Sequence, residues 1–141
     1  MSENLSLHYN ISGSDFSVAG QASSNIKKVL QRLGVKPEII RKAAICMYEG
    51  EINTIIHGKG GVADVEISSD RIKIVFTDHG PGIKDITQAM QEGFSTATDE
   101  ARELGFGAGM GLPNMKKYSD SLRVISVLGE GTTVEITINI A

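Results

Sequence analysis

The chain has 141 residues, of which 40% are apolar and 22% are charged, and its formal net charge is −3. This length suits a single domain with a core of its own, residues 1–141, and the negative charge argues against a general nucleic-acid binder. Its one cysteine cannot form an internal disulfide. Because it shows neither a long apolar run nor a signal-peptide pattern, we expect a cytoplasmic protein that does not cross a membrane.

The first part of the chain predicts one strand and two helices. Apolar and polar residues alternate over Leu5–Ile11, which is typical of a half-buried strand. An apolar stripe at helical spacing predicts a helix over residues 16–33, with Gly34 just beyond its end. A second helix is expected from Pro37, which suits a first helical turn, to His57, where a cation would suit the helix dipole.

The second part of the chain is richer in strands. Residues 63–76 form two alternating segments around a turn and predict a β-hairpin. A short helix is expected over residues 85–91, another helix ends near residue 118, and two strands follow over residues 122–128 and 132–140. This order predicts an α+β fold, a two-layer α/β sandwich whose mixed, mostly antiparallel sheet carries its helices on one face.

Glycines recur at alternate positions in the segment between Glu103 and Met115: Gly105, Gly107, Gly109 and Gly111. Glycine costs about 1 kcal/mol relative to alanine inside a helix, so this run needs a reason in backbone geometry. It indicates a loop whose amide N–H groups approach an anion and which leads into a helix that begins near Gly111. A flexible hinge is the alternative. The segment is not a P-loop, since no Gly-Lys-Ser/Thr follows.

Glu49 and Asn53 are four residues apart, so they lie one turn apart on the same face of the second helix. Two solvated surface residues are the ordinary interpretation. Gly50 argues against it, because a glycine inside a helix is unfavourable unless another group packs closely there. The Asn53 side-chain oxygen suits Mg²⁺, and Glu49 is placed to accept a proton from a hydroxyl nucleophile.

Asp78 follows the hairpin with the parity of its core-facing residues. A carboxylate at such a position is unfavourable unless it is hydrogen-bonded. An exocyclic amine such as that of adenine would satisfy it, and Gly80 and Gly82 would allow a flat base to lie against the backbone. An Asx turn at the end of a strand is the alternative interpretation.

These three groups of residues, with a closing Gly131-Thr132, resemble in order and rough spacing the motif series of the Bergerat-fold ATPases. That superfamily includes DNA gyrase, sensor histidine kinases and anti-sigma-factor serine kinases, and the resemblance covers about residues 10–141. It implies that the chain binds ATP and Mg²⁺, with Asn53 as the Mg²⁺ ligand, Asp78 on the adenine amino group and residues 92–106 as an ATP lid. The other nucleotide-binding positions that it implies are Gly80, Gly82, Gly107, Ala108, Gly109, Met110, Gly111, Leu112 and Thr132.

Within this superfamily the chain looks like the small serine/threonine kinases of bacterial partner-switching systems. That resemblance implies that Glu49 is the catalytic base toward a Ser or Thr hydroxyl of an antagonist protein. It also implies a sigma factor or another regulator as a further partner, and a homodimer. Gly50 and Glu51 depart from the small or apolar residues expected there. Two functions remain open: a kinase, and a nucleotide-dependent module that sequesters a partner with little or no phosphoryl transfer.

Overall fold

The computed structural model describes residues 4–13, 19–83, 90 and 111–140. The predicted lid over residues 92–106 lies outside these ranges, and so does the predicted helix over residues 85–91 apart from residue 90.

Five strands and three helices make up the described part of the chain. In chain order they are β1 Leu5–Ile11, α1 Gln21–Arg32, α2 Pro37–Ile56, β2 Gly61–Ile67, β3 Arg71–Asp78, α3 Gly111–Tyr118, β4 Ser121–Val127 and β5 Gly131–Asn139. The first helix is predicted over residues 16–33, whereas α1 begins at Gln21 in the described part of the chain. Ala19 and Gly20 form a turn, and Gly20 has a φ of 94°, which a right-handed helix does not accommodate.

The five strands form one sheet in the order β1-β2-β3-β5-β4. Every neighbouring pair is antiparallel, so no parallel pair occurs among the described strands of the predicted mixed sheet. Because β5 lies between β3 and β4, the register pairs Thr77 with Thr133 and brings Thr132 close to the end of β3. The predicted α+β sandwich is confirmed.

The helices pack on one face of the sheet, where alternate residues of the strands are buried. On β3 these residues are Ile72, Ile74 and Phe76, each at most 2% exposed. A Cβ at Gly50 of α2 would overlap the Phe76 ring. The glycine therefore lets α2 approach β3 more closely than any side chain would, which explains its place inside a helix.

The opposite face of the sheet carries charged side chains from neighbouring strands. The Nδ1 atom of His8 lies 2.6 Å from the Asp64 carboxylate. Glu135 lies 3.6 Å from Lys73 and 3.7 Å from Arg123. Such solvent-accessible pairs contribute little to stability. Among the helices of the described ranges, none is both long and apolar enough to cross a membrane.

Asp78 and the outer ends of strands β1 and β5 lie at opposite ends of the sheet. Asp78, the last residue of β3, lies at one end. At the other end lie Leu5, which pairs with Ile67, and Asn139, which pairs with Arg71. The beginning of β1 and the end of β5 therefore both lie at the end of the sheet opposite Asp78.

Candidate functional site

Asp78 is only 8% exposed at the end of β3. Its Oδ1 atom accepts hydrogen bonds from the backbone N–H groups of Gly80, at 2.9 Å, and Thr132, at 3.2 Å. The first of these is the Asx turn that the sequence left open, and the second joins β5 to the carboxylate. Both hydrogen bonds fall on Oδ1, whereas Oδ2 lies beside Gly58, where a Cβ would come within 2.6 Å of it.

Backbone packs closely around Asp78 at three glycines. A Cβ at Gly58 would lie 2.5 Å from Asp78 Cγ, and one at Gly131 would overlap the Asp78 carbonyl group. A Cβ at Gly80 would lie 2.9 Å from the Gly58 Cα. The sequence singled out Gly80 and Gly131 but missed Gly58, whose only local signal is its place just after the second helix.

Thr132 also joins the loop after β3 to the β4–β5 hairpin. Its Oγ1 lies 2.9 Å from Ser126 Oγ, and the Ser126 hydroxyl accepts a hydrogen bond of 2.6 Å from the Ile83 backbone N–H. At neighbouring Gly82, φ is +81° and a Cβ would lie 2.7 Å from the Val127 carbonyl oxygen. The sequence missed Ser126, although a serine among the alternating apolar residues of β4 is a usable signal.

Glu49 of α2 faces the first turn of α3. A Cβ at Gly111, the first residue of α3, would lie 3.7 Å from Glu49 Oε2. Burial raises the pKa of the Glu49 carboxyl above its ordinary value, and a hydrogen bond with the Asn114 side chain opposes that rise. Asn53 is half-buried one turn further along α2. The structure therefore brings Glu49 to the beginning of the helix that the glycine-rich segment leads into.

Two of the six predicted positions in the glycine-rich segment belong to the described residues. Gly111 begins α3, and Leu112 is 6% exposed in the hydrophobic core, so only its backbone is available to a ligand. The other four lie outside the described ranges: Gly107, Ala108, Gly109 and Met110.

Glu51 stabilises α1 from the neighbouring helix. It is 4% exposed, and its carboxylate accepts hydrogen bonds of 3.4 Å from the backbone N–H groups of Ala22 and Ser23. The N-cap residue of α1 is Gly20, which has no side chain to cap the helix, so Glu51 satisfies these first-turn amides instead. Burial raises the Glu51 pKa, and these hydrogen bonds oppose the rise.

His57 lies at the end of α2, where the sequence suggested that a cation would suit the helix dipole. Burial lowers the pKa of its imidazole, and the negative charge of Asp78 only partly opposes this effect. The neutral ring is therefore favoured. Together with Gly58, His57 makes the end of α2 part of the surroundings of Asp78.

Asn53 is the predicted metal ligand on α2. Within the described ranges, no group of three or more His, Cys, Asp or Glu side chains could hold a metal ion. Mg²⁺ bound together with nucleotide phosphates needs only one or two protein oxygens. The Asn53 carboxamide, one turn from Glu49, offers one such oxygen.

The family of the chain follows from its sequence profile. The profile of the histidine kinase-, DNA gyrase B- and HSP90-like ATPases matches residues 45–141, a span that includes Glu49, Asp78 and α3. The chain belongs to this family of ATPases, and the resemblance inferred from the motifs is confirmed.

Named relatives narrow the comparison to regulatory proteins. The chain is 42% identical over 105 residues to the anti-sigma F factor of Thermoanaerobacter sp. (strain X514). The aligned segment covers 71% of this chain and 70% of that protein. The chain is 32% identical over 125 residues to the serine/threonine-protein kinase RsbT of Bacillus subtilis (strain 168), which covers 86% of each. Its homologues therefore include anti-sigma F factors and the RsbT kinase.

Solved structures agree with this fold. The RsbU and RsbW domains of Rv1364c from Mycobacterium tuberculosis match with a TM-score of 0.65 and 16% identity, over 95% of this chain and 32% of that one. The SiaB-SiaC complex from Pseudomonas aeruginosa matches with a TM-score of 0.63 and 12% identity, over 94% of this chain and 88% of that one. At these identities the likeness concerns the fold alone.

Proposed function

We propose that the chain is an ATP-dependent serine/threonine protein kinase of a bacterial partner-switching system, which phosphorylates a Ser or Thr of an antagonist protein. The observation that carries the proposal is the position of Glu49, half-buried on α2 against the first turn of α3. The names of the relatives support it, because one is a serine/threonine kinase and another an anti-sigma factor.

The residues around Asp78 fit an adenine base. Asp78 Oδ2 can accept a hydrogen bond from the adenine amino group, whereas guanine would present a carbonyl oxygen to the same acceptor. Because a Cβ at Gly58 or Gly80 would overlap neighbouring atoms, glycine at these positions lets the backbone pack directly around the Asp78 carboxylate. In this proposal Gly80, Gly82 and Thr132 line the adenine pocket.

The phosphate end of the nucleotide fits the first turn of α3. Free N–H groups at a helix N-terminus bind phosphate, and we assign this role to residues 107–112. Asn53 would hold Mg²⁺ through its side-chain oxygen, and residues 92–106 would form the lid.

Phosphoryl transfer requires a base near the substrate hydroxyl. Bound ATP with Mg²⁺ would supply the phosphoryl group. Glu49 accepts the hydroxyl proton while the hydroxyl oxygen bonds to the γ-phosphorus, the bond to the β–γ bridging oxygen breaks, and ADP leaves. The raised pKa of Glu49 brings this carboxylate closer to the working pH, which favours general-base catalysis.

A nucleotide-dependent binding module is the second candidate function. The similarity to a protein named anti-sigma F factor favours it. In this function the chain sequesters a sigma factor or another regulator and transfers little or no phosphate. For both candidates we propose a cytoplasmic homodimer that binds an antagonist protein.

Glu49→Gln separates the two functions. The chain is incubated with radiolabelled ATP and the candidate antagonist proteins encoded in its operon, and ATP affinity is measured by titration calorimetry. For a kinase, ATP affinity stays near that of the parent because the substitution keeps shape and most hydrogen bonding. Transfer falls by about 10²–10⁴-fold, the usual contribution of a positioned base.

Glu38→Gln is the matched control, since Glu38 is an exposed carboxylate in the first turn of the same helix. It should change neither quantity. Full transfer by the Glu49→Gln protein would eliminate Glu49 as the base. Absence of transfer in the parent with every candidate antagonist, alongside normal ATP binding, would favour the binding module.

A further inference from the structure

The side chain of Asn114 contacts the Glu49 carboxylate from α3. Asn114 lies three residues after Gly111, so the two positions share a face of the helix. That face is turned toward α2, because a Cβ at Gly111 would lie 3.7 Å from Glu49 Oε2. Asn114 is itself half-buried and hydrogen-bonds with Glu49. Neither the composition nor the motif series drew attention to this residue.

The packing of α2 against α3 fixes the relative position of these two side chains. The Cys46 thiol donates a hydrogen bond to the Met115 carbonyl oxygen, with an S···O distance of 3.8 Å. Cys46 lies one turn before Glu49 on α2, and Met115 follows Asn114 on α3. Both Cys46 and Met115 are fully buried. The contact between Glu49 and Asn114 is therefore held by buried neighbours on both helices.

A carboxylate at this position competes with phosphate for the same donors. In the first turn of α3 the backbone N–H groups of Gly111 and Leu112 have no intrahelical partner, and Pro113 carries no amide hydrogen. An ionised Glu49 drawn onto those amides would occupy donors that a nucleotide phosphate needs. A side-chain N–H of Asn114 offers Glu49 a donor that leaves the backbone amides available.

We propose that Asn114 is a positioning residue, which holds the Glu49 carboxylate beside the first turn of α3 and off its backbone amides. This inference rests on the proposed function of Glu49 as the base. Asn114 acts only through Glu49 and does not itself bind nucleotide. A loose Glu49 side chain would spend less time within reach of the substrate hydroxyl, so the rate of transfer depends on Asn114 while ATP affinity does not.

The first test asks whether substitutions of Asn114 change the rate of phosphoryl transfer, the affinity for ATP, or both. Asn114→Ala should lower kcat for transfer at least about tenfold, in keeping with the loss of a hydrogen bond to a charged group. ATP affinity should stay within about twofold of the parent. Asn114→Ser keeps a short donor and should recover part of the rate. Lys117→Ala, an exposed substitution three residues further along α3, is the control and should change neither quantity.

A double-mutant cycle tests whether Asn114 acts through Glu49. In the Glu49→Gln background, Asn114→Ala should cause no further loss of kcat. Equal fold-losses in both backgrounds would overturn the proposal. So would a tenfold loss of ATP affinity at unchanged kcat, which would make Asn114 a phosphate ligand instead.

The contact itself is tested in the nucleotide-free protein, independently of activity. Urea unfolding gives the unfolding equilibrium constant of the parent, Glu49→Ala, Asn114→Ala and the double variant. The fold-change of the double variant should differ by at least about twofold from the product of the two single fold-changes. The side-chain amide resonances of Asn114 should shift on Glu49→Gln. If the double variant's fold-change equals that product and the Asn114 resonances do not shift, this inference is overturned. If the parent transfers no phosphate but Glu49 and Asn114 remain coupled in unfolding, the proposed kinase function is overturned and the contact is established.

Discussion

Asp78→Asn should change which purine the site accepts. The two backbone N–H groups that donate to Oδ1 decide the orientation of the new carboxamide. If the amide nitrogen pointed at Gly80 and Thr132, both hydrogen bonds would be lost, at about 1–3 kcal/mol for each buried group left unpaired. The carboxamide oxygen therefore takes the Oδ1 position, and the NH₂ group takes the Oδ2 position, which we propose as the acceptor for the adenine amino group.

The substitution thus turns an acceptor into a donor at the same place. Hydrogen bonds to charged groups contribute roughly 1.5–3 kcal/mol, so ATP affinity should fall about 10- to 150-fold. Inosine triphosphate carries a carbonyl oxygen where adenine has its amino group, and its affinity should rise relative to ATP. In the parent, GTP should bind at least about tenfold more weakly than ATP, for the same reason.

Competition titrations with ATP, GTP and inosine triphosphate measure these ratios. Asp64→Asn is the control, because Asp64 lies on the opposite face of the sheet beside His8. It should leave all three affinities unchanged. If the folded Asp78→Asn protein kept the parent's ATP affinity and the parent's preference for ATP over inosine triphosphate, the assignment of Asp78 to the adenine amino group would be refuted.

Three further predictions concern the metal, the helix packing and pH. Asn53→Ala should remove the dependence of ATP affinity on Mg²⁺ without unfolding the protein, and calorimetric titrations that still show the parent's Mg²⁺ effect would contradict this. Gly50→Ala should destabilise the protein by about 1–3 kcal/mol in urea unfolding, because the new methyl group meets the Phe76 ring. Phe76→Leu should recover part of that loss in the double variant, and an undiminished loss would count against the packing argument. In the nucleotide-free protein the pKa of Glu49 is raised above 4.5, so above that pH the folded state holds more protons than the unfolded state. The free energy of unfolding therefore falls as the pH rises through this interval. Glu49→Gln should accordingly gain stability relative to the parent between pH 4.5 and neutrality, and a constant difference across this interval would argue against the effect.

The elements with a clear apolar period could be predicted from the sequence. β3 alternates up to Asp78, so the parity that placed Asp78 on the core face followed from the strand itself. The start of α1 could not be predicted in this way. Its apolar stripe continues upstream of residue 21, and only the positive φ of Gly20 shows where the helix begins.

The contacts that join distant parts of the chain left no local pattern. Glu51 accepts hydrogen bonds from residues 28 and 29 positions away, so in the sequence it was only a departure from expectation. Asn114 resembles any polar residue on a short helix until α2 is packed beside it. Glu49 and Asn53 were recognisable earlier because their spacing of one helical turn is itself a local signal.

The placement of Leu5 and Asn139 at the end of the sheet opposite Asp78 matters for how the protein is handled. An eight-residue strand such as β3 spans roughly 25 Å. A tag or surface linkage attached beside Leu5 or Asn139 therefore lies about 25 Å from the Asp78 carboxylate. Immobilising the protein through a linkage beside Leu5 or Asn139 should leave nucleotide titrations on a biosensor chip undisturbed.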